Sequence, residues 1–511
     1  PTTWGDTAML LDLSTSFKRL VAAFRPQPLC SPPAPEPVCP LNHPDLPLPA
    51  WVANDPIVAK YRALIGDLPW ADFPERSTDR PWPGPQPDPR APFVAAYLVK
   101  LHEGKRFMSE LREYLLEHPA LLCWLGFQCV PDASSPYGFA VAQTVPDRRQ
   151  LSRVLRTLPN DSLQWLLSAS LDLLQATLPP EQQALFGDTI AGDTQALLAW
   201  VRENNPKQYI KEGRLDKDCQ PIADPDCKLG VKKARNSAPA DADGAADPPA
   251  PATHAKPARD LQLGVDIFWG YASGIVVSRI PDGTEVVLAE RTRPFNQSDA
   301  SYFFPLMDAV EQRLGRKPRF GTWDCAYDAH YVYEYFHQAG GFAAVPFNPG
   351  RKGGKRQFDP DGRPLCAAGL PMPQLLRYLD RTSGLIPHTR EKCGCPLLHP
   401  APTGTSCPIA DPHFEKGGCT TTLAADVGAR IRHTLDRESA AYKQLYAQRT
   451  MVERINSQAE ALGMLHPKLR RGRAIANQNS LTYVLINLRA LQRIRAAQEQ
   501  RPSTRTTTLA A

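Results

Sequence analysis

The chain of 511 residues has no apolar run approaching the roughly 18 residues of a membrane-spanning helix, which excludes a helical membrane protein. Its opening stretch, TAMLLDLSTSFKRLVAAFRP, lacks the charged region, continuous apolar run and small-residue cleavage site of a signal peptide. No internal repeat is apparent. The imbalance of charge is small, with 59 Lys and Arg against 53 Asp and Glu and a net +6. A cytosolic chain with no membrane partner is therefore expected, and there thiols stay reduced. Its 12 cysteines then read as core residues plus a metal site rather than as disulfides.

Proline, by contrast, is abundant. The 53 prolines are about twice the usual share and crowd near residues 31–92 and 236–260, which argues for linkers. The length implies two or three domains. Residues 1–91 form a Pro-rich N-terminal segment, and 92–180 carry helical periodicity, as at Leu98, Leu101, Leu111, Tyr114 and Leu115. Asp147 before Gln150 and Asp161 before Gln164 resemble capping-box starts. An α/β core is expected to begin over 181–349. Within it, 236–260 is almost all Ala, Pro, Asp and Gly and is expected to be a disordered insertion. A Cys-rich insertion spans 350–425, closing helices span 426–497, and 498–511 reads as a disordered tail.

Inside the core, the first strand (FGDTIAGDT) is read as leading to a helix, QALLAWVRENNP, and then to a polar loop containing DPDCKLGVKK. LGVDIFWGYASGIVVSRI and TEVVLAERTRP read as strands joined by a Pro-Asp-Gly turn. ASYFFPLMDAVEQRLG is a helix, PRFGTWDCAYD a strand, AHYVYEYFHQAGG a helix and FAAVPFNP a strand. One long helix, SAAYKQLYAQRTMVERINSQAEALG, completes the set. That order is the order of a ribonuclease H-like mixed sheet with helices on both faces, preceded by an all-helical N-terminal domain.

Three acids fall on different elements: Asp193 on the first strand, Asp324 on the fourth and Glu453 in the last helix. Two or three carboxylates suffice to hold Mg²⁺ or Mn²⁺, and phosphodiester cleavage uses two such ions about 4 Å apart. Each acid also has an ordinary reading. Asp193 could cap a helix starting near Gln195, Asp324 could open a turn, and Glu453 lies four residues after Arg449 as an intrahelical ion pair would. Asp266 rivals Asp193 as the first acid, whereas Asp224, Asp226 and Asp328 read as turn residues.

The segment Tyr446 through Gln458, YAQRTMVERINSQ, resembles the Tyr–Arg–Glu helix signature of bacterial insertion-sequence DDE transposases, Y-x2-R-x3-E-x6-K. Tyr446, Arg449 and Glu453 fit it, and Glu460 stands where the pattern has Lys; Lys468 or Arg470 could supply that contact instead. Asp193-Thr194, the Trp323–Ala329 segment and the ending HPKLRRGRAIANQNSLTYVLINLRALQRI are also similar to that family. The resemblance runs from about Pro92 to Ile494. It implies an enzyme that binds terminal inverted repeats in double-stranded DNA, cleaves there and joins 3′-hydroxyl ends to target DNA. It further implies a homodimer or larger synaptic complex, associated with the bacterial nucleoid. Arg449 would then bind a phosphate through its planar fork, and Tyr446 would contact the strand. The helices of 92–180 would bind DNA, and so would a basic C-terminal face containing Lys468, Arg470, Arg471 and Arg473. A catalytically retired DNA-binding protein and a nuclease on the same fold are the alternatives.

In the Cys-rich insertion, Cys366, Cys393, Cys395, Cys407 and Cys419 cluster, with His399 and His413 between them. No clean Cys-x2-Cys pair is present. Cys366, Cys395, Cys407 and Cys419 would suit a tetrahedral structural Zn²⁺; unliganded thiols are the other reading.

Overall fold

The computed structural model describes residues 40–43, 45–76, 88–205, 215–233, 259–260, 265–349, 354–382 and 384–500. The expected 236–260 insertion (apart from its last two residues) and the tail beyond 500 lie outside the described residues, as does much of the Pro-rich N-terminal segment.

The fold is mixed α/β. Seven strands form one sheet: β1 Thr189–Leu198, β2 Lys228–Lys233, β3 Arg259–Asp260, β4 Val265–Arg279, β5 Glu285–Pro294, β6 Phe320–Thr322 and β7 Phe342–Ala344. β5, β4 and β1 are successively antiparallel, whereas β1, β6 and β7 are parallel. β2 and β3 pair with the first residues of β4. The sequence QALL is strand, not helix. Its Ala and Leu favour a helix in isolation, but Gln195–Leu198 pair with Ser273–Gly270 of β4, and that tertiary pairing overrides the weak propensity. KLGVKK likewise forms β2 rather than a loop.

Both faces of the sheet are covered, so its strands alternate between two cores. On β4, Trp269, Tyr271, Ile275 and Val277 face one core, and Ala272 and Val276 face the other. The second core is closed by helices α6 Phe303–Leu314 and α7 His330–Gln338. The first is closed by the N-terminal helices α1 Pro56–Ile65, α2 Arg90–His102, α3 Met108–Glu117, α4 Arg148–Thr157 and α5 Asn160–Ala176. These helices share one continuous core with the sheet, so neither residue 91 nor residue 180 is a boundary in packing. Asp147 caps α4 by accepting from the Gln150 N–H at 2.7 Å. Asp161 does not cap α5, and its neighbour Asn160 donates instead to Asn477 and Ser480.

The long C-terminal helix expected before Gly463 is two helices. α9 Ala440–Ala447 and α10 Thr450–Ala461 are separated at Gln448 and Arg449, and follow α8 Val427–Thr434. Beyond them, α11 Gly472–Glu499 is buried along most of its length and packs on α5, α4, α2 and β5. Arg489 bonds to His102 and Arg495 pairs with Asp67, so both cations hold α11 in place. The insertion 350–425 contains a three-stranded antiparallel sheet, β8 Gln374–Asp380, β9 His388–Gly394 and β10 Thr420–Ala424, in the order β10–β9–β8.

One side chain ties α11 to the sheet. Asn487 accepts from the Val287 N–H at 2.8 Å and donates to the Val287 carbonyl at 3.0 Å and to Ser170 at 3.1 Å. Val287 lies beside the irregularity in the β4–β5 pairing, where the ladder alone leaves backbone groups unpaired. Replacing Asn487 with Leu should therefore strand a buried N–H and carbonyl and destabilise the protein by roughly 2–4 kcal/mol, read by urea denaturation. A change within error would mean that water or a neighbour can take the place of Asn487.

Candidate active site

β1 and β6 run parallel in the register Ile190–Gly321 and Ala191–Thr322. Asp193 and Asp324 each lie two residues beyond the last pair, so they occupy matched positions on neighbouring chains and share a face by alternation. Ala191 packs into the first core, which fixes that face as the one covered by α10. The close approach on the opposite face depends on Gly192: a Cβ there would lie 1.9 Å from the Trp323 ring.

Asp266 is excluded from this site by register. Asp193 pairs with Ile275, and Asp266 is nine residues further along β4, roughly 30 Å away at strand rise. Of the acids read as turn residues, Asp224 is fully buried and accepts from Tyr271 at 2.8 Å, and Asp226 accepts from the Gly472 N–H at 2.9 Å. The Asp328 side chain is fully buried between Arg432 (2.8 Å) and Tyr333 (2.7 Å), tying α8 to the loop before α7.

α10 is held by Met451, Val452 and Ile455 in the core and by Arg454, which pairs with Glu285 at 2.6 Å. Just before it, the Arg279 guanidinium donates to Gln448 at 3.1 Å. Arg449, at the break between α9 and α10, reaches Glu453 at 3.0 Å and Asp193 at 3.9 Å. The ordinary reading of Arg449 and Glu453 as an ion pair holds, and the same guanidinium joins Glu453 to the strand carboxylates. Glu453 itself is 56% exposed, whereas Asp193 is 21% exposed. Tyr446 stacks on Tyr442 with ring centroids 5.8 Å apart, and its hydroxyl lies within the electrostatic field of Asp324 and Arg449.

Burial first, and then the neighbouring Asp324 carboxylate, push the Asp193 carboxyl up to about 6, against the pull of the Thr194 N–H and Arg449. Asp324 is raised too, chiefly by burial and then by Asp299, although it accepts from the Ala326 N–H at 3.0 Å. Asp299 was not expected. It opens a short 3₁₀ turn, Asp299–Tyr302, that packs on the turn following Asp324, and its charge acts on both strand acids. No spacing signal in NQSDASY distinguishes this acid from an ordinary loop residue.

Glu460 is exposed. Lys468 and Arg470 lie over the Trp200 ring, at 5.6 and 4.7 Å from its centroid, and do not approach the acids. Trp200 is seven residues beyond Asp193 and roughly 20 Å along the strand direction, so both cations stand well away from the acids. With exposed Arg471 and Arg473 they form a separate basic surface. Among the described residues no three His, Cys, Asp or Glu side chains already converge on one point as metal ligands do. No helix of the described residues is long and apolar enough to cross a membrane.

An unfolded aspartate takes up its proton near 3.8 and native Asp193 near 6. Between these values the native state binds the extra proton, so its contribution to stability is present at low pH and is lost as pH rises through about 6, by roughly 2–3 kcal/mol. Asp193→Asn should therefore melt higher than the parent at pH 7.5 and near the same temperature at pH 4. Equal melting at pH 7.5 would show that Arg449 already offsets the buried charge.

No family model matches the chain, and comparison with curated proteins finds no match.

Proposed function

We propose that the chain is a DNA transposase of the DDE type, built on a ribonuclease H-like core, that cleaves DNA at terminal inverted repeats and joins the ends to target DNA. The observation that carries this reading is the pair Asp193 and Asp324: two desolvated carboxylates at matched positions on parallel β1 and β6. The strand order β5–β4–β1–β6–β7, with α6 and α7 as crossovers, supports the ribonuclease H-like reading. The Tyr446–Arg449–Glu453 spacing supports the transposase reading, because it brings a third carboxylate to the sheet face that the two aspartates share.

The residues suit a divalent cation. Asp193 and Asp324 are both held above the usual carboxylate range, chiefly by burial, so a bound cation would relieve the cost of their charges. Gln195, one pleat along β1 on the same face, keeps a buried carbonyl oxygen without a hydrogen-bond partner. Asp193 and Asp324 would hold Mg²⁺ or Mn²⁺, with Glu453 joining once released from Arg449. When bound, the metal supplies activation of water or a 3′-hydroxyl and stabilisation of the leaving oxygen. Arg449, with its partner carboxylate engaged elsewhere, presents a guanidinium fork to a phosphate at the same place. Tyr446 offers a half-buried ring and hydroxyl beside Asp324 for the sugar-phosphate backbone. Lys468, Arg470, Arg471 and Arg473 would hold DNA further from the acids, through phosphate contacts that weaken with salt. Two DNA ends require two active chains, so a homodimer or larger assembly is part of the proposal.

The test uses linear DNA carrying the sequences that flank this reading frame, incubated with the purified protein and Mg²⁺ or Mn²⁺. Nicks at a defined boundary and strand-transfer products are expected. Alanine at Asp193, Asp324 or Glu453 should abolish both while leaving binding of the same fragment largely intact. Cutting without joining would point to a nuclease, and binding without cutting to a retired core. Undiminished cleavage by Glu453→Ala would overturn the assignment of the third acid.

A further inference from the structure

The cysteine-rich insertion carries a site that the proposed DNA chemistry does not use. Cys366, Cys395, Cys407 and Cys419 come from four separate stretches of sequence, yet all four line one cavity. Its volume is about 10 Å³, room for a single occupant no larger than a water molecule. Neither His399 nor His413 lines it, and Asp411 is its one charged wall residue. Cys393, two residues before Cys395, does not line it and packs with Met372 and Leu423 in the small core of the insertion, against which Cys366 and Cys419 also rest. Cys395 lies just past the end of β9 and opens the turn that follows, so the two thiols part where the strand ends.

Local backbone geometry repeats at three of the four positions. The Gly369 N–H donates to the Cys366 carbonyl at 2.9 Å, the Leu398 N–H to the Cys395 carbonyl at 3.1 Å, and the Ala410 N–H to the Cys407 carbonyl at 3.1 Å. Each of these cysteines thus opens a tight turn, which seats its Cβ on a constrained piece of backbone. The fourth follows two glycines with positive φ, Gly417 at 98° and Gly418 at 78°. A Cβ on Gly418 would stand 2.4 Å from the Cys395 Cβ, so glycine at 418 is what lets the Cys419 segment lie against Cys395. Cys419 is close enough to feel the charges of Cys366, Cys395 and Asp411.

No disulfide links the described cysteines, and 24 residues separate Cys395 from Cys419 with no regular element except the 3₁₀ turn Phe414–Lys416. A loop of that length with so small an apolar core needs another source of stability. We propose that the cavity is a structural zinc site with Cys366, Cys395, Cys407 and Cys419 as its four thiolate ligands. Four sulfurs and no open position make a closed tetrahedral site, which contributes folding energy rather than catalysis. As the chain stands, the thiols line the cavity without reaching a common ligand distance, so binding draws them inward by closing the turns onto the ion. Each thiol gives up its proton to solvent as its sulfur binds, and no oxidation or reduction occurs.

The full chain, purified without chelator, should contain one zinc per protomer by elemental analysis. Replacing zinc with Co²⁺ should give the absorption bands of a tetrahedral tetrathiolate, and Asp193→Ala should leave them unchanged. That control distinguishes this site from any metal at the strand acids, so failure of the transposase reading and failure of the zinc site are read separately. Cys366→Ser and Cys407→Ser should each lower zinc content well below one, whereas Cys129→Ser should not. Because a variant could fail to fold, the Co²⁺ spectrum of the unmodified chain is the deciding measurement. An octahedral spectrum, or no zinc after exposure to it in reducing buffer, would overturn the proposal. Retention of full zinc by Cys407→Ser would overturn the four-thiolate ligand set.

Discussion

The register between β1 and β6 is the constraint on which the rest of the molecule turns. Setting Ala191 against Thr322 brings Asp193 and Asp324 alongside each other at the strand ends, and neighbouring strands lie only about 4.8 Å apart. Two carboxylates held that close and partly dehydrated oppose folding: burial raises both, and the Asp324 charge raises Asp193 further. What holds the register is apolar packing on both sides. Trp323 fills the space over Gly192 on one face, while Ala191 and Leu197 join the N-terminal helices on the other. The large helical layer is therefore part of the site's support: it shares the core that keeps β1 straight beneath Asp193.

The same dependence explains which parts of the fold were legible in the sequence. β4 and β5 could be read because β-branched and aromatic residues flank a Pro-Asp-Gly turn, and α6 because Gly315 ends it in the left-handed region. The second half of β1 could not be read. Gln195–Leu198 has helical composition and becomes strand only when β4, some 70 residues later, pairs with it. The break at Gln448–Arg449 had no local signal either, since no Gly or Pro marks it; packing of α9 on β6 and β7 and of α10 on β1 and β4 pulls the two helices apart.

For the candidate site, the resemblance to the Tyr–Arg–Glu pattern singled out Asp193, Asp324, Arg449 and Glu453 and favoured Asp193 over Asp266, and pairing register sets Asp266 far along β4 from Asp193. Asp299 could not be found that way, because its proximity arises from one 3₁₀ turn packing on another. In the insertion the reverse held. The cysteine spacing matches no simple pattern, yet the four thiols chosen from it line one cavity, because turns rather than sequence intervals bring them together.

Charge balance at the strand acids gives the arrangement its chemical direction. Arg449 lies 3.0 Å from Glu453 and 3.9 Å from Asp193, and its charge also acts on Asp324, while Asp299 adds negative charge beside both strand acids. Arg449 does not offset the burial of Asp193, whose carboxyl stays raised to about 6. On the proposed reading a cation from solution meets that cost. A divalent ion would satisfy the two aspartates and weaken their hold on Arg449, freeing the guanidinium for an anion. On the proposed reading that anion is a DNA phosphate, so metal and substrate reinforce one another through Arg449. The half-exposed position of Glu453 fits this scheme: its side chain keeps the freedom to leave the ion pair, which a carboxylate locked in the core would lack.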